Sequence, residues 1–252
     1  MTYTFVIPNF NNADMLGRCL FNIRKLYPKH EIIVCDDASK EIDAVEKVCS
    51  IYNAKLKKSF HNNGFSYNCN RGIEASTTEA VILVNNDVII HKDILSHCDK
   101  IFSNDKIGII GFLLYYPNGN IQHGGLKFDS PYSMRHEDDT NLCLQSRYVI
   151  SVTGALMAIR KSMTDEIGVL NAGYYLAFED TEFCFRAWHS GYKVWYCADV
   201  SAIHYEGYTR GRTPDEKRAT NTYDREQETY KKYCKDIENY SWYEILNKAR
   251  WA

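Results

Sequence analysis

The sequence predicts an α/β fold, in which a mostly parallel, Rossmann-like central sheet is flanked by helices and followed by a helical C-terminal tail. Short apolar runs such as residues 80–84 contain no polar residue, as in strands that are buried on both faces. Segments with helical periodicity separate these runs, and such alternation implies parallel strands joined by right-handed crossovers. The runs end abruptly in polar residues, which is typical of strands that open into a ligand-binding cleft.

The first half of the chain supplies most of the predicted sheet. Strands are predicted at residues 4–8, 31–35, 55–60, 80–84 and 107–114. Helices are predicted at residues 13–26, 67–75 and 93–103, with a further helix that ends near residue 52. In the first helix, Met15, Leu16, Cys19, Leu20 and Ile23 recur at helical spacing, which predicts one buried face.

The second half of the chain is less regular. Residues 121–126 are predicted to form a strand of a hairpin, because a Pro-Asn-Gly-Asn turn signal precedes them. Residues 130–142 have no periodicity, and we expect a mobile loop that acts as a lid. β structure is predicted at 147–159, 192–196 and 200–204, and helices are predicted at 179–190, 214–234 and 241–251.

Composition and charge limit the classes of function. The 252 residues are 45% hydrophobic and carry a net charge of −2, so the chain as a whole does not attract nucleic acid or an anionic membrane. Nine cysteines without CxxC pairing, in a chain without a signal peptide, indicate reduced thiols. No apolar run approaches the ~20 residues of a membrane span. We therefore expect a soluble, cytoplasmic protein without an integral membrane segment.

Carboxylate and amide side chains follow three of the predicted strands, where each strand ends. They are Asn9 and Asn11 after the first strand, Asp36 and Asp37 after the second, and Asn86 and Asp87 after the fourth. The carboxyl ends of parallel strands meet at one edge of a sheet, so these side chains should converge where a nucleotide would lie. A carboxylate flanked by amides can bind a hard divalent cation and leave positions for phosphate. Such residues also favour turns and helix caps, which is the alternative explanation.

A second group of chemically active side chains lies in the second half of the chain. Glu179 and Asp180 follow aromatic residues at the start of a predicted helix, whereas Glu182 is accounted for by the helix dipole alone. His204 ends an apolar segment. A lone histidine is more often structural than a ligand, so His204 by itself does not identify a site.

Five sequence blocks, in this order, resemble the family-two glycosyltransferases, and the resemblance spans roughly residues 5–208. The blocks are VIPNFN at 6–11, IVCDDAS at 33–39, NGFS at 63–66 with NRG at 70–72, LVNND at 83–87, and TGA at 153–155 followed by Glu179-Asp180 and Ile203-His204. Within that family, the blocks are most similar to rhamnosyltransferase-like enzymes that build surface glycans. The resemblance implies the GT-A fold over residues 1–208, with a nucleotide-sugar-binding half at 1–115, an acceptor and catalytic half at 116–208, and a helical extension at 209–252.

The resemblance assigns the donor site to the first four blocks. Asp87 matches the residue that binds the metal, Mn²⁺ or Mg²⁺, which bridges the donor diphosphate, and Asn86 would face the ribose or a phosphate. Asp37 matches the position that recognises the base. A carboxylate accepts the ring N–H of uracil or thymine, whereas cytosine offers none there, which favours a UDP- or dTDP-sugar. The remaining candidates for the nucleotide pocket are Pro8, Asn9, Asn11, Asn63 and Arg71, with Asp36 bracing the loop.

The resemblance also assigns the chemistry of transfer. Asp180 matches the catalytic base, which takes the proton from the acceptor hydroxyl as its oxygen attacks the anomeric carbon. The like charge of Glu179 would raise the pKa of Asp180. His204 matches a metal-ligating histidine. One displacement with one base inverts the anomeric centre, so the resemblance implies an inverting, metal-dependent glycosyltransferase of glycan or glycoconjugate biosynthesis.

Other functions remain open at this point. A sugar nucleotidyltransferase uses a similar sheet, but it would have a glycine-rich loop after the first strand, where this chain has PNFNN at 8–12. A non-catalytic nucleotide-sugar-binding or scaffold protein is a second alternative. The acceptor could be a glycan, a lipid-linked sugar, a protein or a small molecule, and modified nucleic acid is open but not favoured. The basic cluster Arg210, Arg212, Lys217 and Arg218 is expected to close over the donor diphosphate.

Overall fold

The computed structural model describes residues 1–207, 214–219 and 222–250. Its strands are β1 (Tyr3–Asn9), β2 (Glu31–Asp36), β3 (Lys55–Lys58), β4 (Ala80–Val84), β5 (Val88–Ile90), β6 (Ile107–Tyr115), β7 (Ile121–His123), β8 (Leu126–Ser130), β9 (Ser133–His136), β10 (Arg147–Tyr148), β11 (Leu156–Arg160) and β12 (Lys193–His204). Its helices are α1 (Ala13–Leu26), α2 (Ile42–Ile51), α3 (Phe65–Ala75), α4 (Leu95–Phe102), α5 (Thr140–Cys143), α6 (Lys161–Ile167), α7 (Glu179–His189), α8 (Pro214–Ala219), α9 (Tyr223–Asp236) and α10 (Trp242–Arg250), and a 3₁₀ turn covers Ile237–Asn239.

One sheet runs through the centre of the fold, in the strand order β10-β12-β6-β11-β4-β1-β2-β3. β1 pairs in parallel with β2 and β4, β2 pairs in parallel with β3, and β12 pairs in parallel with β6. β11 lies antiparallel between β4 and β6, and β10 is antiparallel at the edge. The predicted α/β class with a mostly parallel central sheet is therefore confirmed.

Burial on both faces explains why β1 and β4 lie at the centre of the sheet. Every residue of these two strands is buried. Phe5 and Ile7 of β1 belong to the hydrophobic cluster on one face, and Val6 between them belongs to the cluster on the other face. The predicted apolar face of α1 packs into the first cluster, where each fully buried aliphatic side chain contributes about 1.5–3 kcal/mol.

The parallel register brings the predicted polar clusters to one edge of the sheet. Asn9 at the end of β1 lies opposite Asp36 at the end of β2. β4 pairs with the other side of β1, where Val6 lies opposite Leu83. The residues that follow β1, β2 and β4 therefore converge at the carboxyl ends of the strands, as the sequence predicts.

The segment 130–142 differs from the prediction of an irregular loop. It contains the end of β8, the strand β9 and the short helix α5, and β8 and β9 form a separate two-stranded antiparallel sheet. Phe128 of this hairpin contacts Phe185 and Trp242, with ring centroids 5.6 Å away in both cases. The hairpin is thus anchored by long-range aromatic contacts, which leave no periodic signal in the sequence.

Two further predicted elements have different bounds in the structure. The segments 192–196 and 200–204 form the single strand β12 (Lys193–His204), because an irregularity in the pairing with β6 between Cys197 and Ser201 accommodates the intervening residues 198–200. The helix predicted at 214–234 is divided into α8 and α9. Thr222 lies between them and donates its backbone N–H to the carbonyl of Lys217 (2.9 Å), which interrupts the helical pattern.

The C-terminal helices pack against α7, and the predicted helical tail is confirmed over residues 214–219 and 222–250. Tyr233, Ile237 and Ile245 are buried in the hydrophobic cluster that also contains the apolar side of α7. The Tyr240 hydroxyl donates to Oε1 of Glu182 on α7 (2.8 Å). Among the helices in the described ranges, none has the length and apolarity needed to cross a membrane.

Candidate active site

A cleft of about 590 Å³ opens at the carboxyl edge of the sheet, a size typical of small-molecule sites. Most of the site residues predicted from the sequence line it, and they come from both halves of the chain. These residues are Pro8, Asn9, Asp37, Asn86, Asp87, Glu179, Asp180 and His204. The fold therefore brings the predicted donor and acceptor residues into one cavity.

Asp36 lies behind the cleft and joins the strand ends. Its carboxylate accepts from Nδ2 of Asn9 (2.8 Å) and from the backbone N–H and the hydroxyl of Ser39. Asn9 in turn accepts at Oδ1 from Nδ2 of Asn86 (2.8 Å). One chain of hydrogen bonds thus links the ends of β2, β1 and β4 and orients the two amides that line the cleft.

Asn11, Asn63 and Arg71 lie beside or behind the wall of the cleft. Oδ1 of Asn11 accepts a backbone N–H from the turn that follows β2 (3.0 Å). The Arg71 guanidinium donates to the carbonyl of Lys58 (2.9 Å) and to the hydroxyl of Ser59 (2.6 Å). Both side chains hold the backbone around the site, whereas Asn63 contributes through its backbone N–H.

Asp37 is buried in the wall of the cleft, where a turn of backbone surrounds its carboxylate. Oδ1 and Oδ2 accept from the N–H of Asn63 (3.0 and 3.1 Å), and Oδ2 also accepts from the N–H of Gly64 (2.8 Å). Burial raises the pKa of Asp37, and these backbone donors oppose that shift. Gly64 has φ +92°, and a Cβ there would lie 2.5 Å from the carbonyl oxygen of Tyr175, so glycine is required at this turn.

Asp87 and His204 form a close pair in the lining of the cleft. Oδ1 of Asp87 lies 3.1 Å from Nε2 of His204, and both residues are buried. The Nδ1 of His204 lies 3.0 Å from Oε1 of Gln122. The pair contains the two residues that the sequence analysis assigned to a cation. Among the described residues, no cluster of three or more His, Cys, Asp or Glu side chains is arranged to hold a metal ion, so any further ligands would have to come from other groups.

Asp180 faces the same cavity from the first turn of α7. Its Oδ2 accepts from the N–H of Gly154 (2.8 Å), and its Oδ1 accepts from the N–H of Thr181 (2.7 Å). Burial raises the pKa of Asp180, and these two backbone donors oppose the rise. Phe178, which precedes the helix, has φ 67° and stacks on Tyr233, so the C-terminal helices support the backbone that positions the carboxylate.

The sequence analysis did not single out the residues of the β8–β9 hairpin that line the cleft. Met134, Arg135 and His136 line the cavity beside Asp180. His136 also pairs with the buried His123, with the two Nδ1 atoms 3.1 Å apart. Burial, followed by the neighbouring His136, lowers the pKa of His123 well below its usual value. No sequence pattern indicated that these residues line the cleft, because their position depends on the pairing of β9 with β8.

The C-terminal part contributes Arg225 to the cleft, a residue that the sequence analysis did not single out. The Arg225 guanidinium lies 3.9 Å from the ring centroid of Tyr175, and both residues line the cleft. Lys217 is paired with Glu226 (2.7 Å). Arg218 is paired with Asp215 (2.8 Å), whereas Arg210 and Arg212 lie outside the described residues.

Comparison with known protein sequences identifies a matching family and several related proteins. The model of the family described as glycosyltransferase like family 2 matches residues 2–236. The uncharacterised protein y4gI of Sinorhizobium fredii is 30% identical over 236 residues, which cover 86% of this chain and 26% of that protein. The low-salt glycan biosynthesis hexosyltransferase Agl10 of Haloferax volcanii is 26% identical, with 80% of this chain and 66% of the relative covered. The dTDP-rhamnosyl transferase RfbF of Shigella flexneri is 23% identical, with 67% and 54% covered.

Solved structures share the fold at low sequence identity. GalNAc-T7, solved with UDP, GalNAc and Mn²⁺, superposes with a TM-score of 0.74 at 18% identity, covering 94% of this chain and 48% of that one. The mannosyltransferase PcManGT of Pyrobaculum calidifontis, solved with GDP-Man and Mn²⁺, has a TM-score of 0.63 at 16% identity, covering 98% and 78%. The chain spans about a quarter of y4gI and about half of GalNAc-T7. With a family match over nearly its whole length, the chain belongs to glycosyltransferase-like family 2 and has the GT-A fold.

Proposed function

We propose that the chain is an inverting, metal-dependent glycosyltransferase that moves a sugar from a UDP- or dTDP-sugar to an acceptor hydroxyl. The observation that carries the proposal is that one cleft contains Asp37, the Asp87–His204 pair and Asp180. A group that recognises the base, a cation site and a general base are what such a transfer needs. The relatives named for hexosyl and rhamnosyl transfer support this class of reaction.

Asp87 and His204 are the proposed metal ligands, and their geometry fits a divalent cation such as Mn²⁺ or Mg²⁺. Adjacent ligands of an octahedral ion at about 2.1 Å lie about 3 Å apart, and the two facing atoms are 3.1 Å apart. Carboxylate oxygen suits both ions, whereas the imidazole nitrogen is a softer ligand, which favours the transition metal Mn²⁺ over Mg²⁺. The donor diphosphate and water would complete the ligand set. When bound, the cation stabilises the negative charge that develops on the departing diphosphate.

Asp37 is the proposed base-recognising residue. An ionised carboxylate offers about four lone-pair positions, and the backbone N–H groups of Asn63 and Gly64 occupy part of them. The ring N–H of uracil or thymine would donate to the position that remains. Asn86, which is held by Asn9, would face the ribose or a phosphate.

Asp180 is the proposed catalytic base. Its carboxylate would take the proton from the acceptor hydroxyl while that oxygen attacks the anomeric carbon and the bond to the diphosphate breaks. Burial makes Asp180 a stronger base than an exposed aspartate, because it raises the pKa. Gly154 and Thr181 hold the carboxylate in place. Glu179 lines the cleft beside it, and its like charge is proposed to favour proton uptake by Asp180.

The acceptor is proposed to be a glycan or a lipid-linked sugar. Relatives named for low-salt glycan biosynthesis and O-antigen biosynthesis support this class. The nine cysteines are all free, which supports a reducing compartment such as the cytoplasm. Transfer to modified nucleic acid and a purely nucleotide-sugar-binding role remain the alternatives that an experiment must separate.

The test is donor hydrolysis and binding across UDP-, dTDP- and GDP-sugars with Mn²⁺, Mg²⁺ or EDTA. We expect metal-dependent turnover of a UDP- or dTDP-sugar, with the anomeric proton of the first product showing inversion by NMR. Asp180→Asn should lower the rate by about 10²–10⁴-fold while donor binding persists, and the exposed control Asp165→Asn should not change it. Binding without turnover in the wild type would favour the non-catalytic role, and the absence of any binding would refute the proposal.

A further inference from the structure

A chain of hydrogen bonds runs from Glu206 through Gln122 to His204. Nε2 of Gln122 lies 2.8 Å from Oε2 of Glu206, and Oε1 of Gln122 lies 3.0 Å from Nδ1 of His204. We propose that Gln122 and Glu206 are positioning residues, which hold His204 in the tautomer that presents the lone pair of Nε2 to the cation beside Asp87. This inference rests on the proposed metal site and adds the groups that orient its histidine.

The carboxylate of Glu206 determines the orientation of the Gln122 amide. An ionised carboxylate only accepts hydrogen bonds, so the group that faces Oε2 of Glu206 must be the NH₂ of the amide. The hydroxyl of Tyr116 donates to the same carboxylate oxygen (3.1 Å) and helps to hold it. The amide oxygen of Gln122 therefore points to His204.

The amide oxygen in turn determines the tautomer of His204. An amide oxygen has no hydrogen to donate, so Nδ1 of the neutral ring must be the protonated nitrogen in this contact. Nε2 then has a lone pair, and it lies 3.1 Å from Oδ1 of Asp87, which is also an acceptor. Two acceptors at this distance are unfavourable by themselves, so the contact needs either a proton on Nε2 or a cation between the two atoms. A divalent cation between them turns the same arrangement into two ligand bonds.

Burial makes the bond from Gln122 difficult to replace. Gln122 is 5% exposed and His204 is 6% exposed, so water has little access to Nδ1 if the amide is removed. Gln122 lies on β7 and His204 ends β12, and both strands pair with Leu114 and Tyr115 at the end of β6. Groups that orient a ligating histidine change metal affinity by about 10–100-fold when they are removed.

A direct readout of the tautomer tests the first half of the inference. In protein labelled with ¹⁵N-histidine, the two-bond ¹H–¹⁵N correlations distinguish the two neutral tautomers, and a spectrum of His204→Gln assigns the signal. We expect the hydrogen of His204 on Nδ1 in the wild type and a loss of this preference in Gln122→Leu. A neutral ring with its hydrogen on Nε2 in the wild type would overturn the inference, whatever the protein catalyses.

Mn²⁺ binding tests the second half, with Mn²⁺ titrated alone and with UDP and followed by electron paramagnetic resonance. Gln122→Leu should bind Mn²⁺ about 10–100-fold more weakly, and the exposed control Gln145→Leu should bind as the wild type does. The exchanged pair Gln122→Glu with Glu206→Gln preserves an oxygen acceptor at Nδ1 and the total charge, so it should recover binding. Thermal unfolding of each variant shows whether it folds. If Gln122→Leu does not fold, the exchanged pair still tests the inference.

The outcomes separate this inference from the proposed function. Unchanged Mn²⁺ affinity in folded Gln122→Leu, or no recovery in the folded exchanged pair, would overturn the positioning role and leave the metal site standing. A wild-type chain that binds no Mn²⁺ in either titration would overturn the metal site, and with it the role of Gln122 toward the cation. Weakened binding that excess Mn²⁺ overcomes, with a normal maximal rate, would support a role in metal affinity alone.

Discussion

Nε2 of His204 lies 3.1 Å from Oδ1 of Asp87, although the two residues belong to separate blocks of the sequence. The short strand β5 causes this proximity, because it begins directly after Asp87 and pairs antiparallel with the end of β12. Val88 lies opposite His204, and the N–H of Tyr205 donates to the carbonyl of Asp87 (3.0 Å). A three-residue strand thus builds the candidate cation site.

Removing either member of this pair should remove the stabilisation that Mn²⁺ and UDP give. A ligand at 100 times its Kd stabilises a protein by about 2.7 kcal/mol, so the wild type should unfold at a higher temperature in their presence. Asp87→Asn and His204→Gln should lose most of this shift, while the exposed control His91→Gln should keep it. An undiminished shift in both variants would contradict the metal assignment.

The pH dependence of turnover should report the environment of Asp180. The base acts only when deprotonated, and burial raises its pKa, so kcat/KM should fall about tenfold per pH unit below a pKa that lies above the ordinary ~3.9. The Thr181 hydroxyl lies 3.3 Å from Oδ1 of Asp180, and its hydrogen bond favours the carboxylate form. Thr181→Val removes this bond and should raise the pKa of Asp180, which moves the acid limb of the profile to higher pH. Movement of the limb to lower pH would contradict this environment.

Gly64→Ala should destabilise the fold and weaken donor binding. The substitution places an alanine at φ +92° and drives its Cβ to 2.5 Å from the carbonyl oxygen of Tyr175. Gly119→Ala is the matched control, because Gly119 has φ +86° and no heavy atom within 4 Å of its Cβ position. Urea unfolding should show a loss of about 1–2 kcal/mol for the control and about 1–3 kcal/mol more for Gly64→Ala. Equal losses would mean that the turn is not closely packed.

Glu182→Ala should be among the most destabilising changes outside the cleft. The helix dipole alone does not explain this residue: its buried carboxylate pairs with Arg186 (2.9 and 3.1 Å) and accepts from Tyr240. Breaking a buried pair leaves an uncompensated charge and costs about 3–5 kcal/mol. Urea unfolding of Glu46→Ala, which removes the exposed pair with Lys58, should show little change. Similar small losses for both variants would contradict a structural role for the Glu182 pair.

Apolar runs and helical periodicity were sufficient to predict the part of the fold that is built from parallel strands and the helices between them. The apolar runs of β1, β2 and β4 and the apolar face of α1 lie where the sequence predicts them. The clusters that contain Asn9, Asp37 and Asp87 follow these strands, so their convergence also follows from parallel pairing. The same patterns did not predict the β8–β9 hairpin, since its anchoring residue Phe128 contacts aromatic side chains far away in the chain.

The sequence by itself determined the α/β class, the order of the first strands and helices, and which carboxylates reach the edge of the sheet. Only the tertiary structure decided that Arg71 holds backbone behind the cleft, that Gln122 orients His204, and that Arg225 and His136 line the cavity. The physical reason is the range of the interactions. Periodicity and parallel pairing are encoded in neighbouring residues, whereas the direction of a side chain across the cleft depends on antiparallel pairing and packing between segments that are distant in sequence.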